Sequence, residues 1–375
     1  MAKKNTEILE QVKATSSAEM RERLSNVDLR NGQEVYGVLK DYPTVKNEFI
    51  NTLTNKIVGS KTYSKIYENQ LKMLHKGKLS YGQSLEQLFV QMAEAKGFLD
   101  HFDADAATDE ADLIRKIEAD VRAMYIQRNF RLKYKTSVSE QQLQAAFANQ
   151  EGLSNLIGQL TSRNASSAEF KEFDMMKNIL KSSASLQALK ETATGELELS
   201  GVAIPVECAK QPMKQVVVGD FNSEDKKAWA NNFLETVRAL AGKMKFPSTE
   251  YNMAGVRNWT DPSELVLITT ADVNARLDVQ SLAAAFNVSS ADLQVRVILV
   301  DELPTTFAST AGVVGTDEKE CYGILMDSAH IQAYDTLVDS GNFYNPASLT
   351  TNMFLHRQGI MAQCLYSPIV ALVKE

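Results

Sequence analysis

Prolines divide this chain before anything else does. Only Pro43 precedes residue 200, whereas Pro205, Pro212, Pro247, Pro262, Pro304, Pro346 and Pro368 punctuate the rest. Proline breaks helix interiors and is excluded from central strands. The first half is therefore free to form long helices, and the second half is cut into shorter elements joined by turns.

The apolar spacing fills in this frame. Residues 138–190 carry the strongest helical pattern, with Leu143, Ala146 and Phe147, then Leu153, Leu156, Ile157 and Leu160, then Phe170, Phe173, Ile179 and Leu180 at three- and four-residue intervals. Ser166 followed by Glu169 fits a capping box, which predicts a helix restarting after a break over 161–167. A second amphipathic helix is predicted over 223–244, with Ser223 as N-cap and Trp229, Phe233, Val237 and Leu240 on one face. Residues 44–60 give a shorter stripe, Val45, Phe49, Leu53 and Ile57, closed by Gly59. Residues 1–35 place Ile8, Leu9, Val12, Met20 and Leu24 too sparsely for a core of their own. They read as an arm in need of a partner surface.

From residue 263 to 303 the period switches twice. Leu265–Ile268 is a short branched run that predicts a buried strand, Ala271–Phe286 carries a helical face of Val273, Leu277, Leu282, Ala285 and Phe286, and Leu293–Val300 predicts a second strand, exposed at its start and buried at its end. The last stretch, 350–373, reads as extended and buried. Between these regions, residues 61–135 behave differently. Lys72, His75, Lys76 and Lys78 surround Gly77 with no acid among them, which predicts an exposed turn. An acidic run follows (Asp100, Asp103, Asp105, Asp109, Glu110, Asp112), and then Arg122, Arg128, Arg131, Lys133 and Lys135 with no acid over 121–135. Charge of one sign followed by the other, with few apolar residues, predicts a long excursion from the body.

At 375 residues the chain can bury a large core. Its formal charge of −7 argues against a protein whose main work is gripping nucleic acid. Neither a run of 18 apolar residues nor the apolar stretch of a secretory signal is present, so a cytosolic, membrane-free protein is expected. Cys208, Cys321 and Cys364 are odd in number and widely spaced, and are expected to be reduced.

The search for chemistry is negative. There is no P-loop, no Gly-x-Gly-x-x-Gly turn and no Gly-x-Ser-x-Gly elbow. His75, His101, His330 and His356 lack partners at metal-ligand spacing, and the Asp103–Asp105 start of a calcium-like loop lacks its glycine. No catalytic residue, cofactor or metal is expected.

The order of arm, charged excursion, main helix, second helix, compact α/β segment and final buried strand resembles the major capsid proteins of tailed bacteriophages, an α+β architecture called the Hong Kong 97-type capsid fold. Three stretches are similar to the capsid proteins of small short-tailed phages (podoviruses) with protein-primed DNA replication. They are Lys76–Val90, the 263–303 core with Asp272, Leu277-Asp278-Val279, Leu282 and Ala285-Phe286-Asn287, and the Asn345–Pro346 turn.

This resemblance implies an N-terminal arm and first short helix (1–60), an extended loop over the neighbouring subunit (61–137), a peripheral domain with the main helix (138–262), an axial domain (263–339) and a return strand of the peripheral domain (340–375). The second helix would lie beside the main one. The implied function is a head protein that self-assembles, as pentamers and hexamers, into the icosahedral or prolate shell around a double-stranded DNA genome. Assembly is expected in the host bacterial cytoplasm with scaffold and portal proteins, and the packaged DNA is held without specific binding. Intersubunit contacts are expected through the loop residues Lys72, Lys76, Gly77, Lys78, Arg122, Arg128 and Arg131. Three other readings remain: an encapsulin-like nanocompartment shell, a nucleic-acid-binding protein acting through residues 121–135, and an α/β enzyme with its site at the ends of the 265–268 and 293–300 strands, against which the missing motifs speak.

Overall fold

The computed structural model describes residues 5–42, 44–46, 48–49, 52, 67–80, 84–93, 119–148, 152–203, 209–222, 225–284, 295–310 and 312–374. Three short helices come first: α1 (Asn5–Thr15), α2 (Ala18–Arg23) and α3 (Gly32–Asp41). A single 3-10 turn, Lys72–Leu74, then leads into β1 (His75–Lys78). Strands β2 (Leu85–Val90) and β3 (Val121–Ile126) pair antiparallel as a two-stranded ribbon. Strand β4 (Phe130–Ser139) runs into α4 (Glu140–Ala148) and the long helix α5 (Gly152–Ser185). After it come β5 (Gln187–Glu191), β6 (Leu197–Ala203), β7 (Lys214–Val217) and α6 (Lys226–Met244). The 263–303 region gives β8 (Leu265–Thr270), α7 (Ala271–Ala284) and β9 (Arg296–Val300). The chain ends with β10 (Thr306–Phe307), β11 (Asp317–Glu318), β12 (Cys321–Asp327), β13 (Ile331–Asn345), β14 (Thr350–Gln363) and β15 (Ile369–Val373).

Two larger sheets organise these elements. One is four-stranded in the order β1-β13-β14-β4, and the other is five-stranded in the order β7-β15-β12-β8-β9. The main core joins them: Phe130, Leu132, Ile331, Ala333 and Met361 of the first sheet and Val266, Ile268, Ile324 and Ile369 of the second are buried with Phe173, Met176, Ile179 and Leu180 of α5. A second cluster fills the other face of the five-stranded sheet, where Trp229, Phe233 and Val237 of α6 and Val273 and Leu277 of α7 cover Leu265, Leu267, Leu325 and Leu372.

Helix α5 runs unbroken for 34 residues. The break predicted over 161–167 does not occur, because Ser166 and Glu169 use their side chains on another segment, as described below. The helix ends at Leu186, which takes a left-handed φ of 55° where glycine is usual. That side chain is fully buried, so packing offsets the strain.

The N-terminal segment finds its partner surface within its own chain. Leu9, Val12, Met20, Leu24, Val35 and Leu39 are buried with Val45, Phe49, Leu143, Phe147 and Met353. Most of the stripe predicted over 44–60 lies outside the described residues, as do Cys208, His101, the acidic run 100–112 and the 285–294 segment. The cap of α6 is Asp225, which accepts from Ala228 N at 2.9 Å, while Ser223 lies outside the described residues.

The sheets also redistribute the expected segments. Strand β13 runs through residues 339 and 340, where a boundary was expected, because its ladder with β14 continues from Ile331 to Asn345. Only β14 returns to the four-stranded sheet; β15 is central in the other one. Helix α6 packs on the five-stranded sheet with α7 instead of lying along α5. In β9 the buried positions are Ile298 and Val300, and the odd-numbered Val297 and Leu299 face outward, since β9 is an edge strand covered on one face only.

Gly359 marks the tightest approach within the four-stranded sheet. A Cβ there would meet the Tyr334 carbonyl oxygen and lie 2.7 Å from Phe130 Cζ. Gly359→Ala is expected to cost at least about 2 kcal/mol, because backbone on one side and a buried ring on the other leave nowhere to move. Denaturant unfolding should show a lower midpoint with an unchanged slope, and a loss under about 0.5 kcal/mol would contradict this packing.

Candidate functional site

The root of the excursion is fastened to α5 by a ladder of polar side chains. Positions three apart lie on one helix face, and Ser166, Glu169 and Glu172 form such a row. Ser166 Oγ accepts from Tyr67 N at 3.1 Å, Glu169 accepts from Asn69 N at 3.4 Å and pairs with Lys72 at 2.7 Å, and Glu172 meets His75 at 2.9 Å. Leu71 and Leu74, both fully buried, anchor the segment between these contacts. The presumed capping box is thus a docking strip for residues 67–75.

Glu172 is also the centre of a buried charge cluster. Its side chain is 1 % exposed, and Arg357 Nη1 of β14 donates to its Oε2 at 2.7 Å. Arg357 also grips Asp335 of β13 with two parallel bonds, Nε to Oδ1 at 2.8 Å and Nη2 to Oδ2 at 2.9 Å. His75 Nε2 lies 3.6 Å from Asp335 Oδ2, and its Nδ1 faces Glu172 as an ion pair without hydrogen-bond alignment. Burial alone would raise the pKa of Glu172, but His75 and Arg357 outweigh it, and the carboxyl stays below the ordinary value. Contact with Glu172 raises His75 in turn, against the effect of burial. Tyr134 of β4, on the edge of the cluster, is pushed up to about 12 by burial.

Beyond His75 the chain is not an exposed turn. Strand β1 pairs in parallel with β13, His75 opposite Ala333 and Gly77 opposite Tyr334, so one extra residue is accommodated as a bulge. Gly77 sits there with φ +113°, a conformation that favours glycine. The turn reading failed because the anchors are two leucines and one imidazole, too few to leave a periodic signal.

The expected contact residues divide into two groups. Lys72 is tied to Glu169, Arg122 to Asp120 (3.2 Å) and the Ala254 carbonyl (3.2 Å), Arg128 to Gln358 (2.6 Å) and Arg131 to Glu191 (3.1 Å). Lys76 and Lys78 are exposed on β1, either side of Gly77. The basic 121–135 segment is therefore two strands of different sheets, with its three arginines engaged by their own chain.

The β2–β3 ribbon has an unusual distribution of polarity. Glu86, Leu88 and Val90 lie opposite Tyr125, Ala123 and Val121 on the outward face, where Leu88 is 58 % and Tyr125 68 % exposed. The inward face stacks Phe89 on Tyr366 with ring centroids 5.5 Å apart, yet it also buries Gln87, whose amide finds no partner among the described residues. Among those residues, no group of three or more His, Cys, Asp or Glu is placed to hold a metal ion, and no helix is long and apolar enough to cross a membrane.

The sequence profile described as Phi29-like phage major capsid protein matches residues 9–373. The chain belongs to that family. It is 27% identical over 351 residues to the major capsid protein of Bacillus phage GA-1, covering 92% of this chain and 65% of that one. It is 23% identical over 367 residues to the major capsid protein of Streptococcus phage Cp-1, covering 97% and 93%. The chain thus spans 65% and 64% of the length of its relatives from Bacillus phages GA-1 and B103. Among solved structures, it superposes on chains from the capsid of Staphylococcus phage Andhra (TM-score 0.57, 10% identity, 84% and 87% covered) and from bacteriophage P68 (TM-score 0.57, 12% identity, 84% and 86% covered). The fold is the α+β Hong Kong 97-type capsid fold that the element order suggested.

In this capsid-family chain the residues that sequence reasoning missed are Glu172, inside a helix read only for its apolar periodicity, Arg357, inside a stretch read only as extended and buried, and Asp335, in a strand that was not read as an element. One buried and two half-buried charged side chains leave no local pattern; only the β13–β14 register and the position of α5 bring them together. Arg357→Met should cost about 3 kcal/mol at neutral pH, since it leaves the buried Glu172 and the half-buried Asp335 with one imidazole. Adding Glu172→Gln should recover part of that loss, as a double-mutant cycle by denaturant unfolding would show. Strictly additive losses would mean the two side chains are not coupled.

Proposed function

We propose that this chain is a major capsid protein, which self-assembles into the closed shell around the double-stranded DNA genome of a tailed phage. The family match through residues 9–373 carries this reading, and the ribbon supports it. A lone subunit gains by turning apolar residues inward, whereas β2 and β3 present Leu88, Val90, Val121 and Tyr125 outward and bury Gln87. That polarity suits a ribbon whose outer face is covered by a neighbouring copy. Val297 and Leu299 on the edge strand β9 are a second apolar exposure, on the unit read as the axial domain, where copies would meet around the five- and six-fold positions.

Within the extended loop, Lys76 and Lys78 are the charged contacts offered to a neighbour. Lys72, Gly77, Arg122, Arg128 and Arg131 serve the loop indirectly, by fixing its root and its strands to the subunit. The shell would assemble in the bacterial cytoplasm with scaffold and portal partners, and the acidic balance of −7 favours a wall that does not grip its DNA. No enzymatic step is part of this reading. The arginines' engagement within the chain weakens the nucleic-acid alternative, and the capsid relatives favour a phage head over a nanocompartment.

Electron microscopy of the purified protein, alone and with a scaffold protein of a related phage, tests the proposal: closed particles of uniform size are expected. Soluble monomers under every condition would overturn it. The double variant Leu88→Lys/Tyr125→Lys should keep the wild-type circular dichroism and melting temperature, because both side chains are exposed and a lysine at 125 faces Glu86 in place of the Tyr125–Glu86 hydrogen bond, while shell yield falls at least about tenfold as charge enters the apolar contact. Normal shells from the double variant would remove the ribbon from the interface.

A further inference from the structure

The charge cluster lies where the extended loop leaves the body, and its members come from different elements. Glu172 faces the imidazole of His75 from α5 at 2.9 Å, Asp335 from β13 at 3.6 Å, and Arg357 of β14 binds both carboxylates. Tyr134 of β4 borders the same group, and Lys72, one turn before His75, is held by Glu169. With His75 protonated, two cations meet two carboxylates; with it neutral, the cluster carries one uncompensated negative charge in a buried place.

His75 is also the side chain through which the loop root meets the charge cluster. Before it, Leu71 and Leu74 are fully buried. Strand β1, which it opens, has only four residues, is interrupted by the bulge at Gly77, and lies at the edge of its sheet in the parallel arrangement. Its backbone ties end with Leu79 N donating to Asp335 O at 2.8 Å. Little besides the charged contact pins this strand, because its side chains alternate between half-buried and exposed.

We infer that His75 is a proton-operated latch: in its charged form it holds β1 against α5 and β13, and loss of its proton frees the root of the extended loop to move. Within the cluster it is the group set to change charge near neutrality, since Glu172 lies below the ordinary carboxylate value and Tyr134 far above neutrality. The folded His75 value lies above the ordinary 6.5. The latch is therefore complete below about pH 6.5 and is lost as pH rises through the raised value. The latch is a property of the single subunit. Its consequence, a subunit whose loop is set before assembly in mildly acidic solution and movable in alkaline solution, rests on the shell reading above.

Hydrogen exchange on the soluble subunit tests the latch without any shell. Protection factors for the amides of residues 76–79 should fall at least about tenfold between pH 5.5 and 8.5, while those of β8 and β12 show no parallel fall, since His330 makes the body less stable on the acid side. His75→Gln, neutral at every pH, should show the low protection of the alkaline state at pH 5.5 as well. Constant protection at 76–79 in the native chain, or His75→Gln matching it at pH 5.5, would overturn the proposal. If His75→Gln lowers protection throughout the subunit, the histidine is a general structural support and the latch is equally refuted. A failure of shells to form would count against the capsid reading and leave this measurement untouched.

Discussion

Arg357 constrains the subunit more than any other side chain does. It lies half-buried between the long helix and the four-stranded sheet, and its guanidinium has a fixed planar fork that suits few partners. Two bonds go to Asp335 on the neighbouring strand and one to Glu172 on the helix. Ionised groups are costly to remove from water, and replacing such a set by apolar side chains is often neutral or favourable. What the cluster adds is specification. A one-residue slip of β14 would turn Arg357 to the open face of the sheet and leave both carboxylates uncompensated. Register, helix position and the path of the loop root are thereby fixed by one set of contacts.

This explains why parts of the fold were legible in the sequence and others were not. Strands β8 and β9 were readable because short apolar runs of branched side chains between turns are too short for helices, and helices α7 and α6 because Val273 and Leu277 in one and Trp229, Phe233, Val237 and Leu240 in the other mark a single face. Long-range assignments were not readable. Ser166 and Glu169 have the spacing of a capping box, and the local rule is sound; it failed because residues about 100 positions away offered Tyr67 N and Asn69 N to the same oxygens. Strand β15 likewise has five buried residues and no polar alternation, so nothing in it states which sheet it enters. The charge cluster was invisible for the same reason, since its four members are separated by up to hundreds of residues and joined only through the folded register.

Surface polarity follows a different logic from the core. The N-terminal helices looked like an arm without a partner because their apolar residues are sparse, yet those residues are buried against α4, the start of β14 and one another. The β2–β3 ribbon shows the reverse. It has residues enough to be inward-facing and directs them outward, while Gln87 is buried without a hydrogen bond among the described residues. An isolated subunit has no reason to prefer that arrangement. A subunit destined for a shell does, because a surface that is unfavourable alone becomes the driving term for association when copies cover it.

Two histidines, His330 buried and His75 half-buried, give the subunit opposing responses to pH. His330 is fully enclosed, with Ser183 Oγ 2.8 Å from Nε2 and Ser367 Oγ 3.1 Å from Nδ1, and burial lowers its pKa to about 4. Its contribution is present above pH 6.5 and is lost as pH falls toward that lowered value, because protonation would place a charge among residues of the main core. His75 contributes below pH 6.5 and is lost on the alkaline side. The first weakens the body where α5 and β14 meet, and the second weakens only the short strand at the loop root. Acid therefore acts on the whole subunit, and alkali on the one segment that leads out of it. On the proposed shell reading, that asymmetry would keep the body intact while the loop root moves.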